Sequence, residues 1–349
     1  MRSRRGGWGR WERNLLVAVL GVAIAGYGQA GEEELRRKQR AQPREFGANL
    51  ALGQFLLEAG KAGEAAAFLA AAVAARPADT AARSDLAVAY IETGRLGEAR
   101  KILDGMPRTA AVDHLEGQWL AAAGQPGPAA ERYQRAAETE PSERHLFDWG
   151  NHLQSHGAVE AALKVFRYAG ERFPKSARLK VGEGVALYAL REYDAAAGAV
   201  CAGVDLNPED LRPLVFLGLM IELTPESGPL VRARLEGFAR RYPRNAQAQY
   251  LYGLSLSKTA KAGEGEPFLK RAAALAPRMH EPRLELGKLY ADANRTEEAI
   301  VELKAALRLA PGVEAAHYRL GQLYQKAGQA ELARKHLEEY RRLRAGKAK

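Results

Sequence analysis

The sequence predicts an all-α solenoid built from a helix–turn–helix unit that recurs along most of the chain. The first indication is a series of prolines with successive spacings of 30, 34, 33, 34, 35, 34 and 34 residues: Pro77, Pro107, Pro141, Pro174, Pro208, Pro243, Pro277 and Pro311. The second is the helical spacing of small and apolar residues between these prolines, without strand-like alternation. Because proline lacks the amide hydrogen that a helix interior requires, each one marks the end of a unit.

Residues 281–311 show one unit in full. The apolar face of its first helix carries Leu286, Gly287 and Tyr290, and that of its second helix carries Ala299, Leu303 and Ala306. Residues three and four apart share a helical face, so each set forms one packing surface. Asn294 and Arg295 occupy the turn between the two helices. The small residues let the two helix backbones approach closely.

The same positions recur in nine successive units. The first helix carries a small residue at Gly53, Ala87, Gly117, Gly150, Gly184, Gly218, Gly253, Gly287 and Gly321. A large residue follows three places later at Leu56, Tyr90, Leu120, Leu153, Leu187, Ile221, Leu256, Tyr290 and Tyr324. The second helix carries Ala65, Ala99, Ala129, Ala162, Ala196, Ala299 and Ala333, with Val231 and Gly265 as departures. This pattern resembles the tetratricopeptide repeat family. The resemblance implies a right-handed superhelix of about nine repeats with a concave groove that holds peptides.

The pattern divides the chain into three parts. Residues 1–30 are predicted to be a signal peptide or an N-terminal membrane anchor. Residues 31–45 form a charged linker or a short solvated helix, and residues 46–349 form the solenoid. The predicted repeats span residues 46–79, 80–109, 110–142, 143–176, 177–210, 211–245, 246–279, 280–313 and 314–349.

The N-terminal segment has the order of regions that is typical of an export signal. Five arginines within residues 1–13 precede the uncharged, mostly aliphatic residues 15–26, and small residues follow at Gly28 and Ala30. A membrane span needs about 20 apolar residues, and the run extended to residue 30 falls short of that length. Cleavage after Ala30 and retention as a membrane attachment through residues 15–30 therefore both stay open. Either outcome predicts a location in the periplasm or on the outer face of a bacterial inner membrane.

The charge pattern and the cysteine content argue against a nucleic-acid-binding protein, a disulfide-stabilised fold and a cysteine metal site. The net charge is +10, but Lys and Arg mix with Glu along most helices, which is typical of a solvated exterior, so no nucleic-acid partner is expected. Cys201 is the only cysteine, so neither an intramolecular disulfide nor a cysteine metal cluster is predicted. We expect it to be a small buried residue of a second helix.

The sequence contains no recognisable catalytic constellation. His152 and His156 are four residues apart on a helix, a spacing that two metal ligands can use. A zincin pattern would need a glutamate directly after the first histidine, where Leu153 stands, and no third ligand is evident. We therefore expect no enzyme activity, no cofactor and no metal.

A second stripe on the first helices lies beside the packing face, at offsets of three, four and three. In the family that the chain resembles, this stripe lines the peptide-binding groove. The candidate groove residues are His114, Gln118, Arg144, Phe147, Asn151, Gln154, Arg178, Tyr188, Tyr250, Tyr318 and Gln322. Their rings offer rigid apolar contact and their amides can pair with a peptide backbone. Arg144 and Arg178 would favour an acidic partner. The alternative is that Phe147 and Tyr188 fill gaps between adjacent repeats.

The sequence thus predicts a non-catalytic scaffold of the bacterial cell envelope, with a protein or peptide partner in the concave groove. One alternative is an accessory subunit of an envelope complex, for polysaccharide modification or secretion, whose active site is on another chain. A nucleic-acid-binding helical array is a further alternative, which export argues against.

Overall fold

A computed structural model describes residues 29–224, 226–259 and 262–346. Every regular element in these ranges is a helix, so the predicted all-α fold is confirmed there. None of the helices in the described ranges is long and apolar enough to cross a membrane. The predicted signal or anchor segment lies outside the described residues, apart from its last two positions.

The helices fall into two compact units, residues 1–192 and 193–349. The first unit contains α1 (Gln29–Ala41), α2 (Phe46–Glu58), α3 (Ala62–Ala75), α4 (Thr80–Glu92), α5 (Leu96–Asp104), α6 (Ala110–Ala122), α7 (Pro126–Thr139), α8 (Glu143–Ser155), α9 (Val159–Arg172) and α10 (Ala177–Ala189). The second contains α11 (Tyr193–Leu206), α12 (Arg212–Met220), α13 (Gly228–Arg241), α14 (Ala246–Ser257), a 3₁₀ turn (Ala262–Gly265), α15 (Glu266–Leu275), α16 (Glu281–Asp292), α17 (Thr296–Leu309), α18 (Glu314–Lys326) and α19 (Ala330–Gly346). The boundary between the units falls inside the predicted repeat of residues 177–210.

A left-handed residue stands two places before many of the second helices. Glycine holds this position at Gly60, Gly94, Gly124, Gly157 and Gly328. Asn294, in the turn predicted from the sequence, takes the same conformation with a φ of 59°. A left-handed residue ends the first helix and reverses the chain, and glycine does so without the steric cost of a Cβ.

The predicted close approach is present in several helix pairs. A Cβ on Gly53 would lie 2.6 Å from Cγ of Leu69, and a Cβ on Gly150 would lie 2.8 Å from the ring of Phe166. A large side chain of the second helix thus fills the space that the glycine leaves. The sixth predicted repeat departs from this arrangement, because Gly218 faces Leu251 of α14 instead of a residue of its own second helix.

Residues 29–41 form a helix rather than an extended linker. Leu35 of α1 packs against the cluster that contains Leu52 and Leu56. Glu32 pairs with Lys61 at 2.8 Å, and Arg36 pairs with Glu64 at 2.6 Å. The charged residues of α1 therefore hold it against the first helix pair.

The second predicted repeat is short, and a buried charge cluster follows it. Helix α5 has nine residues where α7 has fourteen, in line with the short spacing of 30 residues between Pro77 and Pro107. Glu116 of α6 is 1% exposed, and its carboxylate accepts contacts from Arg108 at 2.6 Å and Arg132 at 3.1 Å. Arg132 also pairs with the buried Asp113 at 2.8 Å. The cluster therefore ties α6 and α7 to the segment after α5.

In the second unit, one carboxylate joins the seventh and eighth predicted repeats. Glu266 accepts hydrogen bonds from Arg295 at 2.7 Å and from the Tyr290 hydroxyl at 3.0 Å. Lys270 adds an ion pair at 2.7 Å. The hydrogen bond from Arg295, supported by those from Lys270 and Tyr290, lowers the pKa of Glu266 to about 2.

Replacing Glu266 by glutamine is expected to lower the free energy of unfolding at neutral pH by about 1–2 kcal/mol, allowing for its partial exposure. The folded pKa lies below the ordinary 4.5, so this stability is present above pH 4.5 and is lost as the pH falls through about 2. Urea unfolding followed by circular dichroism should show a smaller difference from the wild type between pH 2 and 4.5. The exposed Glu297→Gln is the control. If the two proteins differ in unfolding free energy by the same amount at neutral pH and between pH 2 and 4.5, the stability does not come from the ion pairs of Glu266.

Candidate functional site

His114, from the predicted groove stripe, is buried between helices of the first unit. Its Nε2 donates a hydrogen bond to Asp148 of α8 at 2.7 Å, and its ring meets the edge of Tyr133 with centroids 5.5 Å apart. Arg144 approaches the same Asp148 carboxylate at 3.8 Å. His114 therefore joins α6 to α7 and α8, and the charge of Arg144 is already partly balanced.

Phe147 is also buried, at 6% exposure. Its ring lies 6.1 Å from that of Phe166 on α9, and the Arg178 guanidinium of α10 lies 5.0 Å above it. Arg178 in turn donates to Glu143 at 2.6 Å. These contacts favour the alternative in which Phe147 fills the space between neighbouring repeats.

The remaining candidates in the first unit differ in exposure. Gln154 is 1% exposed, and neither of its amide atoms has a hydrogen-bond partner among the described residues. Gln118, Asn151 and Tyr188 are half-buried. In the first unit, the accessible part of the predicted stripe therefore consists of these three side chains and of the exposed Arg144 and Arg178.

In the second unit, the candidate tyrosines have different surroundings. Tyr250 is half-buried against the cluster around Leu286, and burial raises the pKa of its hydroxyl. Tyr318 is 41% exposed, and its hydroxyl accepts a hydrogen bond from Gln322 Nε2 at 3.0 Å. Tyr318 and Gln322 thus form an accessible pair of the kind expected in a groove.

Two neighbouring recesses lie on this part of the second unit. One, of about 470 Å³, lies between α16 and α18 and is lined in part by Asn294 and Gln322. The other, of about 340 Å³, has Lys258 and Lys288 in its wall. Asp292 and Arg319, which pair at 3.1 Å, border both recesses. Hydrogen-bonding groups therefore line this surface of the second unit.

A further stripe of the first unit, on α2 and α4, was not among the predicted site residues. We call it the α2–α4 face; its members are Leu50, Gln54, Leu57, Glu58, Asp85, Val88, Ile91 and Glu92. Its four aliphatic side chains are half-buried, and Gln54 Nε2 donates to Asp85 across the two helices at 2.8 Å. The same offsets of three and four that define the other stripes were available in the sequence.

The histidine pair and the cysteine show structural roles. His152 Nε2 donates to the Pro126 carbonyl at 2.8 Å, and His156 Nδ1 donates to the His152 carbonyl at 2.9 Å. Burial lowers the pKa of His152 and raises that of the buried Cys201 to about 11. Among the described residues, no group of three His, Cys, Asp or Glu side chains is placed to hold a metal ion.

Comparison with known proteins finds the predicted family in several segments. Tetratricopeptide repeat models match residues 29–80, 56–117 and 147–210. Further repeat models of the same kind match residues 287–328 and 314–344. The first match begins at α1, which agrees with the packing of that helix against the first pair.

Solved structures add distant similarities. The crystal structure of YrrB, a TPR protein with an unusual peptide-binding site, aligns at 19% identity and a TM-score of 0.36, over 53% of this chain and 98% of its own. The crystal structure of the APC/C hetero-tetramer Cut9–Hcn1 aligns at 15% identity and a TM-score of 0.36, over 90% of this chain and 68% of its own. A search of curated proteins gives no match. On the family matches, the chain carries tetratricopeptide repeats within residues 29–117, 147–210 and 287–344.

Proposed function

We propose that this protein is a non-catalytic scaffold that binds segments of other proteins along the first helices of its repeats. The main support for this proposal is the accessible α2–α4 face. Its four aliphatic side chains remain only half-buried, although Leu50 and Leu57 border the buried cluster of Leu52 and Leu56. Clustered apolar surface beside polar groups is typical of protein-binding sites. The exposed Tyr318 beside Gln322 supports a second contact region in the second unit.

The envelope is the compartment we propose for this scaffold. Support comes from residues 1–30, where arginines precede an apolar run and a small-residue site. N-terminal sequencing of the protein recovered from a bacterium that expresses the full chain tests this. A new N-terminus after Ala30, or an intact chain in the membrane fraction, is expected. Full-length protein in the soluble cytosol would contradict the envelope location.

The binding function is tested by affinity capture with the immobilised full chain and a detergent extract of membranes from the source cell. Specific proteins should be retained, and excess soluble chain should compete them away. The control is the same extract passed over an unrelated helical protein of similar charge. Retention of the same proteins by both columns, or of none by this chain, would contradict the scaffold role.

A further inference from the structure

We infer that the α2–α4 face binds a partner segment that combines basic and apolar side chains. This inference rests on the proposed scaffold function and specifies the chemistry of one of its partners. The occupant is a segment of another protein in which lysine or arginine alternates with leucine-like residues at helical or extended spacing.

The negative charge of the face is the first argument. Glu58, Asp85 and Glu92 contribute three carboxylates from two neighbouring helices, and within the described residues none of them forms an ion pair. The Gln54 amide is the hydrogen-bond donor to Asp85, and Arg144 is the cation whose field reaches that carboxylate. The face is therefore locally acidic on a chain whose net charge is +10.

The surroundings of these carboxylates are the second argument. Burial raises the pKa of Asp85, and this effect exceeds the opposing influence of the Gln54 hydrogen bond and of Arg144. Burial also raises the pKa of Glu92, with no compensating partner. A carboxylate that has lost part of its hydration without gaining a cation is stabilised when a lysine or arginine arrives.

The apolar part of the face is the third argument. Leu50 and Leu57 rest on the buried cluster of Leu52, Leu56 and Leu69, which fixes their positions. On α4, Val88 packs against the buried cluster of Leu103 and Leu115. Val88 and Ile91 occupy the same repeat positions as Gln54 and Leu57 one repeat earlier. Rigid, half-exposed aliphatic side chains between carboxylates fit a segment whose apolar residues alternate with basic ones.

The arginines from which an acidic partner was predicted already have acidic neighbours in the first unit. Arg178 is engaged by Glu143 and stacks on Phe147. Arg144 lies near both Asp148 and Asp85. Their charges are balanced by neighbouring carboxylates, whereas those of Glu58 and Glu92 are not. Charge complementarity therefore favours a basic partner over an acidic one.

The test uses the full chain and two synthetic peptides, one of leucine and lysine in amphipathic order and one with glutamate in place of lysine. Fluorescence anisotropy at physiological ionic strength should show binding of the lysine peptide and weaker binding of the glutamate peptide. Combining Glu58→Gln, Asp85→Asn and Glu92→Gln should weaken binding of the lysine peptide by about tenfold or more. Because amides of the same shape replace the carboxylates, and burial raises the pKa values of Asp85 and Glu92, the thermal unfolding temperature of this variant should be no lower than that of the wild type.

The matched control combines Glu131→Gln, Glu160→Gln and Glu171→Gln, which remove the same charge from exposed positions of α7 and α9. This control should bind the lysine peptide like the wild type. Equal weakening in both variants, no weakening in either, or tighter binding of the glutamate peptide would overturn the inference. If proteins captured from membranes are retained equally by the wild type and the face variant, the basic partner is excluded while the scaffold function stands.

Discussion

Replacing Phe166 by alanine is expected to lower the free energy of unfolding of the first unit by about 3–5 kcal/mol. The side chain is fully buried in α9. Its ring fills the space left by two glycines, since a Cβ on Gly150 or Gly182 would lie 2.8 or 2.7 Å from it. Truncation would leave a cavity between α8, α9 and α10, and the glycines offer no side chain to fill it.

Urea unfolding followed by tryptophan fluorescence measures this effect, because Trp119 and Trp149 lie in α6 and α8 and the sequence of the second unit contains no tryptophan. The control is Tyr168→Ala on the same helix, a side chain that is 51% exposed. Its effect should stay within about 0.5 kcal/mol. A loss at Phe166 no larger than that at Tyr168 would show that the ring does not hold the three helices together.

Replacing Arg132 by methionine is expected to cost about 3 kcal/mol, because it removes a partner from two buried carboxylates, Asp113 and Glu116. Methionine keeps much of the apolar stem, so the loss reports mainly the charge. Arg108→Met is the matched control. Arg108 pairs with Glu116 alone and its side chain is 60% exposed, so its loss should be less than about 1 kcal/mol.

The same fluorescence measurement compares the two arginine variants. Equal losses of unfolding free energy in the two variants would mean that the stability of the cluster depends on the number of arginines and not on the burial of the carboxylates. A larger loss for Arg108→Met would contradict the assignment of Arg132 as the bridging residue.

Several turns and helix ends were predictable from the sequence because their signals are local. The turn at Asn294, the proline after α17 and the short α5 all follow from residues within a few positions of each other. Helix α1 was less predictable. Its composition is that of a charged linker, and the ion pairs with Lys61 and Glu64 that hold it cross to another helix.

The sequence periodicity does not tell which candidate site residues are buried, because their burial depends on contacts with neighbouring helices. A stripe at offsets of three and four identifies one helical face, but it does not tell whether the next helix covers that face. Phe147 is covered by Arg178 and Phe166, whereas Leu50 and Ile91 remain half-exposed. The predicted site therefore contained aromatic and polar positions, of which Phe147, His114 and Gln154 are buried, and it did not contain the aliphatic α2–α4 face.

Partners are expected to bind on the faces of the first helices and not on the second helices. Site-specific photo-crosslinking in the source cell tests it most directly, with benzoylphenylalanine placed at the exposed Gln54 of α2 or at the exposed Glu131 of α7. Gln54 should give discrete adducts with another protein, and Glu131 should give none. Adducts from Glu131 alone, or the same adducts from both positions, would contradict the account.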